Sequence, residues 1–120
     1  RNVMSDAVHW TLEVSVNDGQ LSTFKDLLNE MVSSTRSEYG TFIYEWYFNE
    51  DESICIINER YRDSRAAMMH LQAFGSFAER FMAAVTPTSF IVLGNPSTEV
   101  RDGLSGLNPR YLKLESGFSR

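Results

Sequence analysis

Between Val8 and Val16 every second residue is apolar (Val8, Trp10, Leu12, Val14, Val16), and His9, Thr11, Glu13 and Ser15 fill the positions between. Successive side chains of a strand point to opposite faces, so this alternation predicts a strand with one dry and one wet face. Asn17-Asp18-Gly19 stops it. Leu21, Phe24, Leu28, Met31 and Val32 then recur at helical spacing, which predicts an amphipathic helix from Leu21 to about Arg36. Glu38-Tyr39-Gly40 turns the chain into residues 41–48, an aromatic and β-branched run suited to a strand. Asn49-Glu50-Asp51-Glu52 is a turn, and residues 53–62 form the returning strand of a hairpin.

Asp63-Ser64 supply side-chain oxygens that can cap a second helix. Ala66, Met69, His70, Phe74, Phe77, Phe81 and Val85 follow at helical spacing, and Gly75 marks a bend or break inside that run. Pro87 ends the helical region, residues 88–93 read as a fourth strand, and Gly94-Asn95-Pro96 closes it. The order β-α-β-β-α-β is that of the ferredoxin-like split βαβ, an α+β fold with a four-stranded antiparallel sheet and both helices on one face. Residues 1–120 then read as a single domain with its core at 7–95. Residues 96–120 form a C-terminal extension, with a short helix around 98–104 and an extended segment at 111–115.

A four-residue turn would place Phe48 opposite Ser53, Trp46 opposite Cys55, Tyr44 opposite Ile57 and Phe42 opposite Glu59. Phe42, Tyr44, Trp46, Phe48, Cys55, Ile57, Glu59 and Tyr61 would then share the helix-facing side. The opposite face carries Ile43, Tyr47, Ile54, Ile56 and Ile91 among His9, Glu13, Glu45 and Asn58, too apolar for free water and too polar for a dry core. Two such faces packed together would bury it, which predicts a homodimer, with the extension free to reach the partner.

Sixteen acidic against eleven basic residues give a net charge of -5, and no Lys/Arg cluster interrupts it. That field disfavours nucleic acid and anionic membrane surfaces. No apolar run approaches the roughly 20 residues of a membrane span, so a cytoplasmic protein is expected. Cys55 is the one cysteine, which excludes an intrachain disulfide and leaves an intermolecular bond as the redox option. Arg1-Asn2-Val3 stand ahead of Met4 as an added leader would.

Glu59 is the misfit on the aromatic face, because a carboxylate there must find a donor or raise its pKa until it is neutral. His70 shares a helix stripe with Phe74 and Phe77 and is the candidate partner. A carboxylate and an imidazole in an aromatic-walled space make an acid/base pocket, with Trp10, Phe42, Tyr44, Trp46, Tyr61, Phe74 and Phe77 as substrate-binding walls. Each of these residues has a plainer use: His70 as a hydrogen-bonded structural ring, Glu59 as a structural carboxylate, the aromatics as core. Two histidines without HxxxH or HxxE spacing give no metal site, and neither a Gly-rich phosphate loop nor a nucleophile elbow occurs.

The run Glu59-Arg60-Tyr61-Arg62-Asp63-Ser64, then Ala66-Ala67 and His70-Leu71 with Phe77 beyond, resembles a segment of the antibiotic biosynthesis monooxygenase family, including its quinol monooxygenase branch. Val8 to Val16, Gly40-Thr41-Phe42 and Tyr44-Glu45-Trp46 resemble it too, so the likeness spans residues 7–95. It implies a dimeric ferredoxin-like α/β barrel. It also implies oxygenation of phenols or quinols with no metal, flavin or other cofactor, the substrate itself donating an electron to O₂. Tyr61 stands where some members place a pocket tryptophan. Leu12 and Val14 stand where some catalytic members carry an asparagine, and Phe77-Ala78-Glu79-Arg80-Phe81 replaces the histidine-bearing stretch of the haem-degrading branch, so haem is not implied. Two functions follow: a cofactor-independent oxygenase or isomerase of a small aromatic with Glu59 or His70 as base, or a binding or sensing protein that uses the same pocket without turnover.

Overall fold

The computed structural model describes residues 6–120, so the reading of Arg1-Asn2-Val3 lies outside the described residues. The elements are β1 (Val8–Val16), α1 (Leu21–Thr35), β2 (Thr41–Phe48), β3 (Ile54–Tyr61), α2 (Ser64–Phe74), α3 (Ala78–Ala84), β4 (Val85–Leu93), α4 (Thr98–Leu104), a 3₁₀ turn (Ser105–Leu107) and β5 (Arg110–Leu112). They form an α+β, ferredoxin-like fold with the helices on one face of an open sheet.

The sheet has five strands in the order β2-β3-β1-β4-β5 and is mixed. This corrects the four-stranded antiparallel expectation: β5, from the extension, pairs parallel with β4, Ile91 opposite Arg110 and Leu93 opposite Leu112. The expected second helix is two helices. Gly75 closes α2, its N–H on the Gln72 carbonyl at 3.2 Å, and Phe77 opens α3. β4 begins at Val85, not at residue 88, and runs through Pro87. Pro87 stands opposite Val14 beside a register shift, with β5 reaching only Ile91–Leu93 on the other side, so the missing N–H falls where the ladder is already irregular.

The hairpin register differs from the expected one by two residues. Phe48 pairs with Cys55, Trp46 with Ile57 and Tyr44 with Glu59. Side chains inside the turn cause this. Asn49 Oδ1 accepts from the Ile54 N–H at 2.9 Å, Asp51 Oδ1 accepts from the Ser53 N–H at 3.0 Å, and Glu52 takes a left-handed φ of 62°. These bonds draw Ser53 into the turn. A slip of two keeps every side chain on its face, so Tyr44, Trp46, Phe48, Cys55, Ile57 and Glu59 remain together. Phe42 does not join them. Thr41 pairs with Tyr61 and Ile43 with Arg60, which leaves Phe42 as the extra residue of a bulge, 54% exposed.

The core lies between sheet and helices. Val8, Trp10, Leu12 and Val14 alternate into it from the central strand, against Phe24, Leu27 and Met31 of α1, Ala66 and Ala67 of α2, Phe81 of α3, and Val100 and Leu104 of α4. Gly40 lets β2 approach α2: a Cβ there would stand 2.5 Å from that of Ala66. Cys55 is fully buried in this core and burial pushes its thiol up to about 11, which removes the expected intermolecular redox option. Among the described residues no helix is long and apolar enough to cross a membrane.

Candidate functional site

Among the described residues three buried polar side chains interrupt the core: Thr35, Glu59 and His70. Glu59 sits mid-strand on β3, opposite Trp10 on one side and Tyr44 on the other. His70 sits on the sheet-facing stripe of α2, whose first turn is fixed by Asp63 Oδ1 accepting from the Ala66 N–H at 2.9 Å. Strand and helix thereby bring His70 Nε2 to 3.3 Å from Glu59 Oε1. Tyr61 O–H donates to the same carboxylate oxygen, and the Trp10 indole bonds the Glu59 carboxylate as well. On the other side of the imidazole, Nδ1 lies 2.9 Å from Glu38 Oε1, which also accepts from Thr41 Oγ1 at 2.8 Å.

The chain of groups therefore runs Tyr61–Glu59–His70–Glu38–Thr41. Burial raises the Glu59 pKa, only partly offset by the His70 charge and the Tyr61 and Trp10 donors. Burial alone would lower His70, but the Glu38 hydrogen bond and the charges of Glu59 and Glu38 outweigh it and hold the imidazole above the usual histidine value. Glu38 is raised by its partial burial and lowered further by the His70 bond and charge and by Thr41, ending below the usual carboxylate value. Burial raises both Tyr44 and Tyr61, so the phenols facing His70, each with its ring centroid 5.2 Å away, stay neutral.

Glu59 and His70 open onto a cavity of about 290 Å³ between sheet and helices. Trp10, Tyr44, Trp46 and Phe74 line it as expected, with Leu12, Met31, Ile57, Phe81 and Phe90. Its remaining wall is the extension: Gly103 and Leu104 of α4 and Gly106 and Leu107 of the 3₁₀ turn. α4 is held there by Ser97, whose N–H donates to Ser64 Oγ at 2.9 Å, and by Arg101, whose guanidinium lies 4.0 Å over the Tyr111 ring of β5. The Trp46 indole N–H is buried without an acceptor, its ring set edge-on to Tyr44 and Phe81.

Three expected wall residues stand elsewhere. The bulge turns Phe42 to a surface recess with Val32, Thr35 and Arg36. Phe77, displaced by the break after α2, lines a narrow crevice with Glu38 on the outer side of His70. Tyr61 is fully buried beneath the cavity, its ring 4.7 Å from that of Trp10, and acts on the site through its bond to Glu59. Sequence reasoning missed Glu38 and the α4 wall. Glu38 lies beyond the periodic part of α1, 32 positions from His70, and no spacing links the two. The apolar positions Val100, Leu104 and Leu107 were the available signal for the wall. Glu38, His70 and Glu59 stand in contact, but among the described residues no three His, Cys, Asp or Glu side chains are arranged to hold a metal ion.

Residues 7–85 match the family model described as antibiotic biosynthesis monooxygenase. No curated protein matches the chain. Among solved structures, MupZ from Pseudomonas fluorescens superposes with a TM-score of 0.84 at 21% identity, covering 95% of this chain and 94% of its own. A conserved protein from Methanosarcina mazei Go1 gives 0.69 at 14% identity, covering 78% and 96%. SnoaB from Streptomyces nogalater, a cofactor-independent oxygenase, gives 0.64 at 16% identity, covering 78% and 96%. At these identities the likeness concerns the fold.

Proposed function

This chain belongs to the antibiotic biosynthesis monooxygenase family, and from that membership we propose that it is a cofactor-independent oxygenase of a small aromatic substrate, a phenol or quinol. The observation that carries the reading is the Glu59–His70 pair, buried and 3.3 Å apart, at the wall of an apolar cavity. Glu59 accepts the substrate's phenolic proton. Burial raises the affinity of its carboxylate for that proton, and Tyr61 and Trp10 hold it in place. The aromatic walls position the ring and exclude water, so the phenolate that forms keeps its electron density for O₂. That SnoaB is a cofactor-independent oxygenase on the same fold supports this reading.

A carrier or sensor of a small aromatic is the second reading. It is favoured by β1, where Leu12, which lines the cavity, and Val14 stand in the region in which some catalytic members of the family carry an asparagine. We further propose that a second copy covers the open face of the sheet, because Tyr47 of β2 and Ile54 and Ile56 of β3 are exposed side by side on it.

Oxygen uptake over a panel of quinols tests the enzyme reading. Substrate-dependent uptake is expected, falling roughly 10²–10⁴-fold in Glu59→Gln, which keeps the shape and loses the base. Tight binding of a quinol with no uptake by the wild type would overturn the oxygenase and leave the carrier.

A further inference from the structure

We propose that Glu38 is the positioning residue of this site: it fixes His70 with its proton on Nδ1 and stabilises the positive charge that the ring takes on when Nε2 accepts a proton from Glu59. The inference rests on the reading that Glu59 handles a substrate proton.

The geometry assigns the proton positions. Glu38 Oε1 accepts from the Thr41 hydroxyl at 2.8 Å and faces Nδ1 at 2.9 Å. A carboxylate oxygen offers no donor, and Nδ1 is hydrogen-bonded to Glu38 at 2.9 Å whereas Nε2 stands at the longer 3.3 Å from Glu59 Oε1, so in the neutral ring the hydrogen sits on Nδ1 and Nε2 is left toward Glu59. Glu38 is itself clamped: its N–H donates to the Thr35 carbonyl at 2.9 Å and its carbonyl accepts from the Thr41 N–H at 3.2 Å. Its side chain reaches the surface, 14% exposed, whereas those of His70 and Glu59 are 6% and 8% exposed. The crevice between Glu38 and His70, walled by Met31, Thr35, Phe74 and Phe77, is too narrow for a water molecule. A proton travelling between cavity and surface on this side crosses the imidazole and not a chain of waters. The groups facing His70 from the packed elements are Met31, Ser34 and Thr35 of α1, Tyr44 of β2, and Glu59 and Tyr61 of β3, with Glu38 on the connection between α1 and β2. Of these, Glu38 and Glu59 are the carboxylates, and burial holds the Tyr44 and Tyr61 phenols neutral.

The step balances as a proton transfer. When a protonated Glu59 passes its proton inward, the Oε–H bond breaks as the Nε2–H bond forms. The carboxylate is regenerated and the ring becomes imidazolium, while Nδ1–H stays on Glu38. The new positive charge stands one hydrogen bond from the Glu38 carboxylate, which is what makes the transfer favourable in a dry site.

The test is a ¹⁵N NMR titration of histidine-labelled full-length protein, reading both ring nitrogens of His70 in the wild type, Glu38→Gln, Glu38→Asp and Thr41→Val. In the wild type His70 is expected in the Nδ1–H form when neutral. In Glu38→Gln its titration should move to lower pH, and Glu38→Asp should restore it in part. Thr41→Val removes the competing donor to Glu38 and should move it to higher pH, which keeps the test decisive if the Gln variant fails to fold. A His70 titration that ignores all the variants, or a neutral ring protonated on Nε2, overturns the proposal. Oxygen uptake is read separately. A titration that follows Glu38 in a protein that consumes no oxygen sustains the positioning role and refutes the oxygenase.

Discussion

The two faces of the sheet hold one histidine each, and the two are put to different uses. On the open face His9 of β1 sits opposite Arg60, with its Nε2 2.5 Å from the neutral amide oxygen of Asn58. On the covered face His70 is wedged between two carboxylates and two phenol rings. The larger void also lies on the open side, about 650 Å³ between the sheet and the tail, against about 290 Å³ at the site. Its outer wall includes Leu114 and Phe118, themselves 74% and 80% exposed, and no clamped titratable pair lines it. Volume alone therefore does not mark a site. What distinguishes the covered face is that charged groups are held in contact there where water cannot screen them.

The largest effect expected on this contrast comes from opening the covered side. Leu104 of α4 is 2% exposed and forms part of the cavity wall. Leu104→Ala should cost about 2–5 kcal/mol in chemical denaturation through lost burial and the void left behind. It should also weaken binding of any aromatic ligand, measured by titration calorimetry. Full stability with unchanged binding would show that the extension does not close the site. The open face responds to a charge instead. Ile56→Asp, at a position 36% exposed, should weaken the proposed dimer at least ~10-fold in sedimentation, about 1.4 kcal/mol, and leave the cavity side folded. A wild type that sediments as a monomer at all concentrations would break the pairing of open faces.

Most of the scaffold was legible because the central strand alternates cleanly and the elements around it carry strong local preferences. The strand at Val8–Val16 stands where its alternation placed it, Thr41–Phe48 where an aromatic and β-branched run did, and the break at Gly75 and the helix at Thr98–Leu104 stand where they were expected. The hairpin register was not legible, since it depends on side-chain bonds of Asn49 and Asp51 within the turn, yet parity protected the faces from the error. Phe42 escaped that protection because a bulge changes parity. The juxtaposition of Glu59 and His70 could be read from two stripes facing each other. Glu38 could not, because a connection between elements has no period to read.

The pH dependence of stability sharpens the contrast further. Glu38, lowered in the fold, contributes stability above its unfolded pKa that is lost as pH falls through its folded value. His70, raised in the fold, contributes stability present below the ordinary histidine pKa and lost as pH rises through its folded value. Glu59 is also raised, so its ionisation draws stability down as pH climbs from the ordinary carboxylate value to its folded one. The three signs together predict a maximum on the acidic side of neutrality and a decline above it. Thermal melting across pH should show that decline in the wild type and a shallower one in His70→Gln. A wild-type profile that rises through neutrality would mean that the imidazole is not charged between its two carboxylates.

The smallest effect is expected at the other histidine. His9 is partly buried, its partner is an uncharged amide, and its neighbours on the open face are reached by water. A glutamine there can donate an amide N–H to Asn58 Oδ1, so His9→Gln exchanges one neutral hydrogen bond for another. The net worth of such a bond is about 0.5–1.5 kcal/mol, most of which the replacement keeps. The melting temperature should shift by the equivalent of no more than about 0.5 kcal/mol, and oxygen uptake should not change. The same substitution at His70 removes the one ring between Glu38 and Glu59 that can take up a positive charge and should cost several times more, because the two carboxylates then face each other's field with nothing to offset it. Equal losses in the two glutamine variants, measured by denaturation at one pH, would show that the covered face confers nothing on its histidine that the open face does not.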